Sequence, residues 1–212
     1  GGFILIEITG RPYGNMAEVL PRIGVVFPME KSFRDVSWWG RGPGENYCDR
    51  KAAAPFGLYR DRVEKMNFMY DVPQENGTRF ENSFATLSDD KNSGVTVIGS
   101  DTFGFSYHDY SLEDLINARH RNELKKSEKN YLYIDYKMRG LGSFSCGPEP
   151  EEQYELRPHD FRFTFGLAPA MADAAALALS RQQFCSTTQA LGDAYVKPKT
   201  IKFEQNLDCD LD

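Results

Sequence analysis

The most constraining feature of the sequence is a stretch that mixes aromatic, turn-forming and charged residues. It occupies residues 38–50 and reads W-W-G-R-G-P-G-E-N-Y-C-D-R. Its glycines permit backbone angles that other residues rarely adopt, and Pro43 fixes one angle among them. The charged and amide side chains can hold such a segment by hydrogen bonds to the backbone and by arginine–carboxylate pairs. We therefore predict a fixed, non-repetitive loop that supports a site or an interface.

Residues 40–50 resemble the signature G-x-G-P-x-E-N-Y-x-D-R in the C-terminal domain of large β-galactosidases of glycoside hydrolase family 2. Further matches stand in the order that the family has. They are L-P-R-I-G (20–24), V-P-Q-E-N-G (72–77), Y-S-L-E-D-L (110–115), R-H-R-N-E-L (119–124) and a weaker match over 138–148. A single motif of this kind is a weak signal, but a collinear series is specific. Together the matches cover roughly residues 3–168.

The resemblance implies an all-β fold, a two-sheet β-supersandwich similar to galactose mutarotase. The chain opens at residues 3–8 with what reads as a strand already in progress, which we interpret as the continuation of a longer polypeptide. We therefore predict that residues 1–168 form the latter part of the sandwich domain, without its N-terminal half. Residues 169–212 are expected to form a helical or disordered C-terminal extension.

Residue patterns indicate the same fold class independently. Short runs with strand character are separated by turn signals, which is typical of an all-β sandwich. The expected strands are residues 3–9, 19–27, 33–39, 80–87, 95–98, 103–107, 131–136 and 161–167.

Other segments are expected to differ from this strand pattern. Residues 51–60 are predicted to be irregular, and residues 63–72 to end as an extended strand before Pro73. Ser111 and Asp114 predict a short internal helix that begins with a capping box. An alanine-rich run over 170–179 predicts a second helix.

Composition excludes several function classes. The formal net charge is −6 and the pI about 5.2, which argues against nucleic acid as a partner. No apolar run approaches the ~20 residues of a transmembrane helix, which argues against a membrane partner. The four cysteines contain no C-x-x-C pair, so zinc and thiol-redox motifs are unsupported and a cytoplasmic location is expected. Residues 76–78 form a glycosylation sequon, but a tight Asn-Gly turn is the favoured interpretation.

The resemblance places catalysis outside this chain, since both catalytic glutamates of the family lie in a preceding TIM barrel. We interpret Glu45, Asp49 and Glu75 as structural carboxylates paired with arginines at 41, 50 or 79. Arg22 is expected to face outward or lie on an edge, with a buried partner such as Glu45 or Asp49 as the alternative. The full set of predicted structural residues is Arg41, Gly42, Pro43, Glu45, Asn46, Asp49, Arg50, Glu75, Asn76, Gly77 and His120.

One loop of the family's domain reaches the active site, and in many bacterial members it reads G-G-D-D-S-W. Its tryptophan is a platform for the sugar beyond the scissile bond. The matching stretch here, residues 140–148, reads G-L-G-S-F-S-C-G-P. It is one residue shorter, lacks both aspartates and has Cys146 in place of the tryptophan, which resembles fungal members with S-C-G-P. The resemblance therefore implies a substrate-binding role for Cys146, Ser145 and Phe144.

For function, the resemblance implies the C-terminal portion of a β-galactosidase that hydrolyses terminal β-D-galactosides such as lactose. This portion would shape the acceptor side of the active site. The expected partners are the substrate, the rest of the polypeptide or a large subunit, and further copies in a homo-oligomer. No cofactor is expected in this chain, although full enzymes of the family commonly use Mg and Na or K in other domains. The alternatives are a stand-alone carbohydrate-binding or mutarotase-like module and a non-catalytic small subunit.

Overall fold

Antiparallel strands account for most of the regular structure in the computed structural model, which describes residues 2–143 and 149–182. The strands are β1 (Ile4–Gly10), β2 (Arg22–Met29), β3 (Asp35–Arg41), β4 (Phe56–Arg62), β5 (Arg79–Ser88), β6 (Gly94–His108), β7 (Asn130–Met138) and β8 (Phe161–Pro169). The α-helices are α1 (Leu112–Asn117) and α2 (Asp173–Ser180), and single 3-10 turns lie at Val63–Lys65 and Glu152–Tyr154. The predicted all-β fold is confirmed.

The long strand β6 organises the sheet. The strand order is β1-β8-β6-β5-β3-β4, and β7 pairs with both β6 and β2. Residues 95–99 of β6 pair with β8, whereas residues 104–108 pair with β7. The sheet therefore divides along β6 into two arms, one of β8 and β1 and the other of β7 and β2. The arms meet where Phe27 of β2 contacts Phe165 of β8, with ring centroids 6.4 Å apart.

A single large apolar core receives side chains from every strand of this sheet. In β3, Val36 and Trp38 are buried while Ser37 and Trp39 point to the opposite face, because successive side chains of a strand point to opposite sides of the sheet. Trp38 packs against Tyr59 on the neighbouring strand, with centroids 5.5 Å apart. Full burial of one such side chain stabilises a fold by about 1.5–3 kcal/mol.

Helix α2 covers the outer face of the sheet. Its Ala176 is fully buried in a second cluster with Phe84 and Ile98, and Trp39 packs against that cluster. Asp173, in the first turn of the helix, accepts a hydrogen bond from Ser37 Oγ at 2.7 Å. The predicted alanine-rich helix is confirmed over Asp173–Ser180, and the rest of the extension from residue 183 lies outside the described residues. The domain boundary at residue 168 stays a prediction.

Two local predictions were wrong. The segment 51–60, expected to be irregular, contains most of β4, which pairs with β3 from Phe56 to Arg62. The segment 63–72 contains no strand and has only the 3-10 turn at Val63–Lys65. β4 is an edge strand without a fully buried side chain, so no apolar alternation marks it in the sequence. Its conformation comes from pairing with β3.

The other elements agree with the sequence predictions or are longer than predicted. Residues 95–98 and 103–107 belong to one bent strand, β6. At α1 the predicted capping box is present: Asp114 N–H donates to Ser111 Oγ at 3.0 Å, and Ser111 N–H donates to the Asp114 carboxylate at 3.0 Å. Neither described helix is long and apolar enough to cross a membrane.

Candidate functional site

The signature loop, residues 41–50, is held against the start of β5. Asn46 is buried, its N–H donates to the Thr78 carbonyl at 2.8 Å, and its side-chain oxygen accepts from Phe80 N–H at 3.0 Å. Tyr47 and Arg50 exchange two backbone hydrogen bonds across the tip of the loop. The loop is therefore irregular in conformation but has specific partners for its backbone.

Glu45 connects this loop to the segment before β5. Its carboxylate accepts from the Tyr70 hydroxyl at 2.6 Å and from Gly77 N–H at 2.7 Å, and it lies 3.5 Å from Arg50. Gly77 has φ +73°, and a Cβ at this position would lie 2.7 Å from the Met66 carbonyl oxygen. Only glycine meets both requirements without strain. The structure thus contains one of the predicted arginine–carboxylate pairs, Glu45 with Arg50.

Arg79 is a buried cation with carbonyl partners. Its guanidinium donates to the carbonyls of Met66 (2.9 Å), Gly77 (2.6 Å) and Pro43 (3.2 Å), and it lies 5.1 Å from the Trp38 ring centroid. Burial lowers the pKa of Arg79 to about 10. The predicted pairing of Arg79 with a loop carboxylate was therefore wrong, because backbone carbonyls occupy its donors.

The partner of Arg41 also differs from the prediction. Arg41 Nε donates to Glu81 at 2.5 Å, and its Nη1 donates to the Ala54 carbonyl at 3.0 Å. Lys51 donates to the same Glu81 carboxylate. Both cations and their hydrogen bonds lower the pKa of Glu81 although its burial opposes them. Glu81 belongs to β5, and it lies outside the motifs that carry the family resemblance.

Asp49 connects the signature loop to the start of the 140–148 loop. Its Oδ2 accepts from Gly142 N–H at 2.9 Å. A Cβ at Gly140 would lie 2.8 Å from the same oxygen, so the close approach needs glycine there. Next to it, Cys48 Sγ lies 3.6 Å from the Met138 carbonyl oxygen. The predicted arginine partner of Asp49 was wrong, since a backbone N–H takes that place.

Both flanks of the 140–148 loop are held together. Gly140 N–H donates to the Tyr154 carbonyl at 2.9 Å, and Glu151 N–H donates to Ser143 Oγ at 3.1 Å. Arg139 forms a two-pronged pair with Glu155 at 2.6 and 2.7 Å. The predicted substrate-binding residues, Phe144, Ser145 and Cys146, lie outside the described residues. Their contact with substrate stays a prediction.

A buried charged cluster lies at the base of this site. Arg22 donates to Asp135 at 3.1 Å and lies 3.8 Å from Glu75. Burial raises the pKa of Asp135 to about 7 despite the nearby guanidinium, and burial also raises the pKa of Glu75. The expectation that Arg22 faces outward was wrong. It has a buried partner, but that partner is Asp135 and neither Glu45 nor Asp49.

The structure places Asn76 in the interior and His120 at the surface. Asn76 is buried, and its side-chain oxygen accepts from Phe68 N–H at 3.2 Å and from the Tyr110 hydroxyl at 3.1 Å. This burial is incompatible with glycosylation of the folded chain. His120 is exposed, and its carbonyl accepts from Glu123 N–H at 2.9 Å.

Sequence reasoning missed His108 and Asp135 as members of the buried network. His108 stacks on Tyr110 and hydrogen-bonds Asn67, and burial lowers its pKa to about 3, so it is neutral. For Asp135 a signal existed, because it is a charge inside the apolar run of β7. Among residues 2–143 and 149–182, no three His, Cys, Asp or Glu side chains converge as metal ligands would.

A groove of about 560 Å³ opens beside the loop flanks. Its lining includes aromatic and hydrogen-bonding side chains, among them Tyr136, Tyr154, Arg157 and His159. His159 Nδ1 is 2.8 Å from the Arg157 carbonyl oxygen. Aromatic faces together with hydrogen-bonding groups suit a polar ligand with an apolar side.

Comparison with known proteins identifies a family. The model of the β-galactosidase small chain matches residues 2–167. β-Galactosidases of Kluyveromyces lactis, Staphylococcus xylosus and Actinobacillus pleuropneumoniae are 36%, 36% and 35% identical to the chain. The matches cover 70%, 71% and 78% of this chain but 14%, 15% and 16% of the respective relatives. The chain therefore spans about a sixth or less of the length of these relatives.

Proposed function

The chain belongs to the β-galactosidase small-chain family, and from that premise we propose that it forms the acceptor-side portion of a β-galactosidase. The complete enzyme would hydrolyse terminal β-D-galactosides such as lactose. The observation that carries this proposal is the hydrogen bond from Gly142 N–H to Asp49, which ties the 140–148 loop to the signature loop. The described base of this loop, residues 140–143, is thereby held in one place, as the support of a substrate contact requires.

The catalytic carboxylates are proposed to lie in the rest of the enzyme. Retaining glycosidases use two carboxyl groups about 5 Å apart that are free to act on the substrate. The carboxylates of the candidate site already have structural partners: Glu45 binds Gly77, Asp49 binds Gly142, and Asp135 binds Arg22. This chain's residues would therefore position the leaving sugar, while acid, base and nucleophile come from elsewhere.

Cys146 is proposed to contact the leaving sugar, beside Ser145 and Phe144. A tryptophan at this position offers a broad ring face, whereas a thiol offers a small polarisable contact. An enzyme with cysteine at this position would bind the leaving sugar less tightly than an enzyme with tryptophan there. The groove beside the loop flanks offers further hydrogen-bonding groups to a sugar acceptor.

The remaining proposals concern the setting of the enzyme. We propose no cofactor for this chain, with Mg and Na or K bound by other domains of the complete enzyme. A homo-oligomer and a cytoplasmic location are proposed as well. The location is supported by the four scattered cysteines, since disulfide-rich sequences are typical of oxidising compartments.

Replacement of Cys146 by Trp in the complete enzyme tests the acceptor-side role. The expected result is a changed KM for lactose and changed transfer to a sugar acceptor, with inhibition by free galactose unaltered. Kinetics on lactose and on an aryl galactoside separate the two sides of the site. Lys91→Trp, in an exposed turn, is the matched control. Equal effects on lactose, aryl galactoside and galactose inhibition would contradict the proposal.

A non-catalytic small subunit is the second candidate, and the description of the matched family as a small chain favours it. In either case the isolated chain is expected to show no turnover of a chromogenic galactoside, because the proposed catalytic residues lie elsewhere. Addition of the separately produced remainder of the enzyme distinguishes the two arrangements, since a true subunit restores activity in trans. Turnover by the rigorously purified chain alone would contradict both.

A further inference from the structure

The groove beside the loop flanks is a concave site that no sequence motif indicates. Its volume of about 560 Å³ lies within the roughly 300–1,000 Å³ that is typical of small-molecule sites. Residues from several parts of the chain line it: Cys48 of the signature loop, Phe80 of β5, residues 136–138 of β7, residues 152–157 and His159. The groove therefore lies where the signature loop, two strands and a connecting segment meet.

Backbone hydrogen bonds fix the wall of the groove that residues 152–157 form. Leu20 N–H donates to the Leu156 carbonyl at 2.8 Å, and Gly140 N–H donates to the Tyr154 carbonyl at 2.9 Å. Leu156 itself is buried, with 5% of its surface exposed. A wall that is already ordered loses little entropy when a ligand binds, and such preorganisation favours association.

Two tyrosines of the lining have groups that are available to a ligand. Tyr154 is half-buried, and no other aromatic ring or cation lies over its ring in the described part of the chain. Tyr136 stacks on Phe161, with ring centroids 5.6 Å apart. Neither tyrosine hydroxyl has a hydrogen-bond partner among residues 2–143 and 149–182. The groove thus supplies one uncovered ring and two hydroxyl groups that can donate and accept.

The carboxylates that line the groove already have cationic partners. Glu155 forms the two-pronged pair with arginine described above, and Glu152 lies 3.7 Å from Arg157. Lys137 has no carboxylate partner in the described ranges, and its amino group lies 5.2 Å from the Tyr136 ring centroid. Because the carboxylates are neutralised within the protein, the lining favours a ligand without charge, to which Lys137 can donate hydrogen bonds.

A ligand that suits this groove has an apolar face for the ring and several hydroxyl groups for the polar side chains, without a charge. A pyranose sugar combines these properties, since its C–H groups form an apolar face. We propose that the groove is a non-catalytic saccharide-binding site for one or two neutral hexose units. The Tyr154 ring covers the C–H face of the sugar, and Tyr136 and Lys137 bind its hydroxyl groups. This site goes beyond the proposed acceptor-side role and does not depend on it, because it binds saccharide whether or not the catalytic site is occupied.

Alkylation of Cys48 in the complete enzyme tests the site, because this thiol lies in the groove lining and a bound saccharide would shield it. A fluorosugar first blocks the catalytic site, and a thio-linked lactose analogue, which glycosidases do not cleave, is then titrated. Site-resolved mass spectrometry measures the reaction with iodoacetamide at alkaline pH, since burial raises the pKa of the Cys48 thiol. At about ten times the dissociation constant of the analogue, the rate at Cys48 should fall about tenfold.

Variants of the lining locate the ligand. Tyr154→Ala and Lys137→Ala should each raise the saccharide concentration that gives half-protection by about threefold to tenfold. Tyr154→Phe, which keeps the ring and loses only the hydroxyl group, should have a smaller effect. Lys129→Ala replaces an exposed lysine outside the groove, so it is the matched control and should behave as the parent does.

Two outcomes would overturn the proposal. A Cys48 rate that the analogue does not change would show that the groove does not bind the saccharide. Equal half-protection concentrations in the parent and in all variants would assign the protection to another site. A complete protein without galactosidase activity would count against the proposed function instead, and Cys48 protection can still be measured in it, so the two failures are distinguishable.

Discussion

The signature loop and the flanks of the 140–148 loop are both irregular, but different interactions hold them. In the signature loop, backbone groups meet side chains that water hardly reaches: Arg79 is 3% exposed and Asn46 is 1% exposed. At the flanks, the main side-chain interaction is the pairing of Arg139 with Glu155 and Glu149, and the Glu149 side chain is 77% exposed. Asp49 is the point where the first region holds the second.

Because the partners differ in burial, the two regions should respond differently to substitution. Removal of a buried partner leaves polar groups without a partner, because water cannot replace it. Removal of an exposed partner lets water take its place at little cost. The signature loop therefore acts as a fixed base, whereas the exposed pairs at the loop flanks tolerate replacement.

The largest expected effect is the loss of Arg79. In Arg79→Ala, three carbonyl oxygens lose their donor and the space over Trp38 becomes empty. The free energy of unfolding should fall by about 3–4 kcal/mol. Denaturant unfolding measures this, with Arg162→Ala, an exposed arginine on β8, as the matched control. If Arg79→Ala were as stable as Arg162→Ala, buried partners in the signature loop would matter no more than exposed ones, and the contrast between the two regions would be wrong.

Asp49→Ala should have the next largest effect, because it breaks the connection between the regions. The N–H of Gly142 loses its acceptor, and the stability loss should be about 1–3 kcal/mol. In the complete enzyme, lactose kinetics should change more than aryl-galactoside kinetics, since the loop is expected to serve the acceptor side. Asp49→Asn, which keeps an acceptor oxygen, is the control and should behave more like the parent. Unchanged stability together with lost sugar binding would identify Asp49 as a ligand residue.

The buried cluster under both regions predicts a specific pH dependence. The folded pKa of Asp135 is about 7, above the usual value of about 4 for an unfolded aspartate. A raised carboxyl pKa gives stability that is fully present below the unfolded pKa and is lost as pH rises through the folded pKa. The contribution of Asp135 should therefore decline between about pH 4 and pH 7 and be absent above that range.

The measurement is the difference in unfolding free energy between the parent and Asp135→Asn across pH 4–8. This difference isolates one group from carboxylates with lowered pKa values, such as Glu81 and Asp114, which act in the opposite direction. Groups that face Asp135 in the cluster are Arg22 and Glu75, so Glu75→Gln serves as a control for their coupling. A difference that does not vary with pH would show that Asp135 stays ionised throughout.

The smallest effect is expected at Arg139. Arg139→Gln removes the ion pairs with Glu155 and Glu149; Arg139 and Glu149 are accessible to water, whereas the Glu155 side chain is 12% exposed, and glutamine keeps a donor for it. The thermal midpoint should stay close to that of the parent, and the remaining difference should shrink in high salt because salt screens exposed charges. A large, salt-independent loss would show that the flanks are as rigid as the signature loop.

Much of the fold could be predicted from residue patterns. The alternation in β3 predicts that Trp38 and Trp39 lie on opposite faces of the strand, and the Ser111–Asp114 box predicts the start of α1. These signals are local, so a short window of sequence contains them. β4 has no such signal, because an edge strand with half-exposed side chains takes its conformation from the strand beside it.

The candidate site also has features that the sequence predicts and features that it does not. The motif resemblance indicates that residues 40–50 form a fixed loop and that the 140–148 loop matters, and Glu45 with Arg50 is a pair within reach of local reasoning. The partners of Arg79 and Arg22 are different, since they come from segments distant in sequence. A pairing such as Arg22 with Asp135 spans 113 positions, and only the register of β2 on β7 brings the two together.

Sequence patterns alone indicate the fold class, the family and a fixed loop with charged and glycine residues. Each of these follows from periodicity, turn chemistry or a motif, which local chemistry sets. The partners of the charged side chains are set only when the chain folds in three dimensions. Asp49 reaches Gly142 and Arg79 reaches three carbonyls because a buried donor or acceptor takes the partner that packing brings within hydrogen-bond distance.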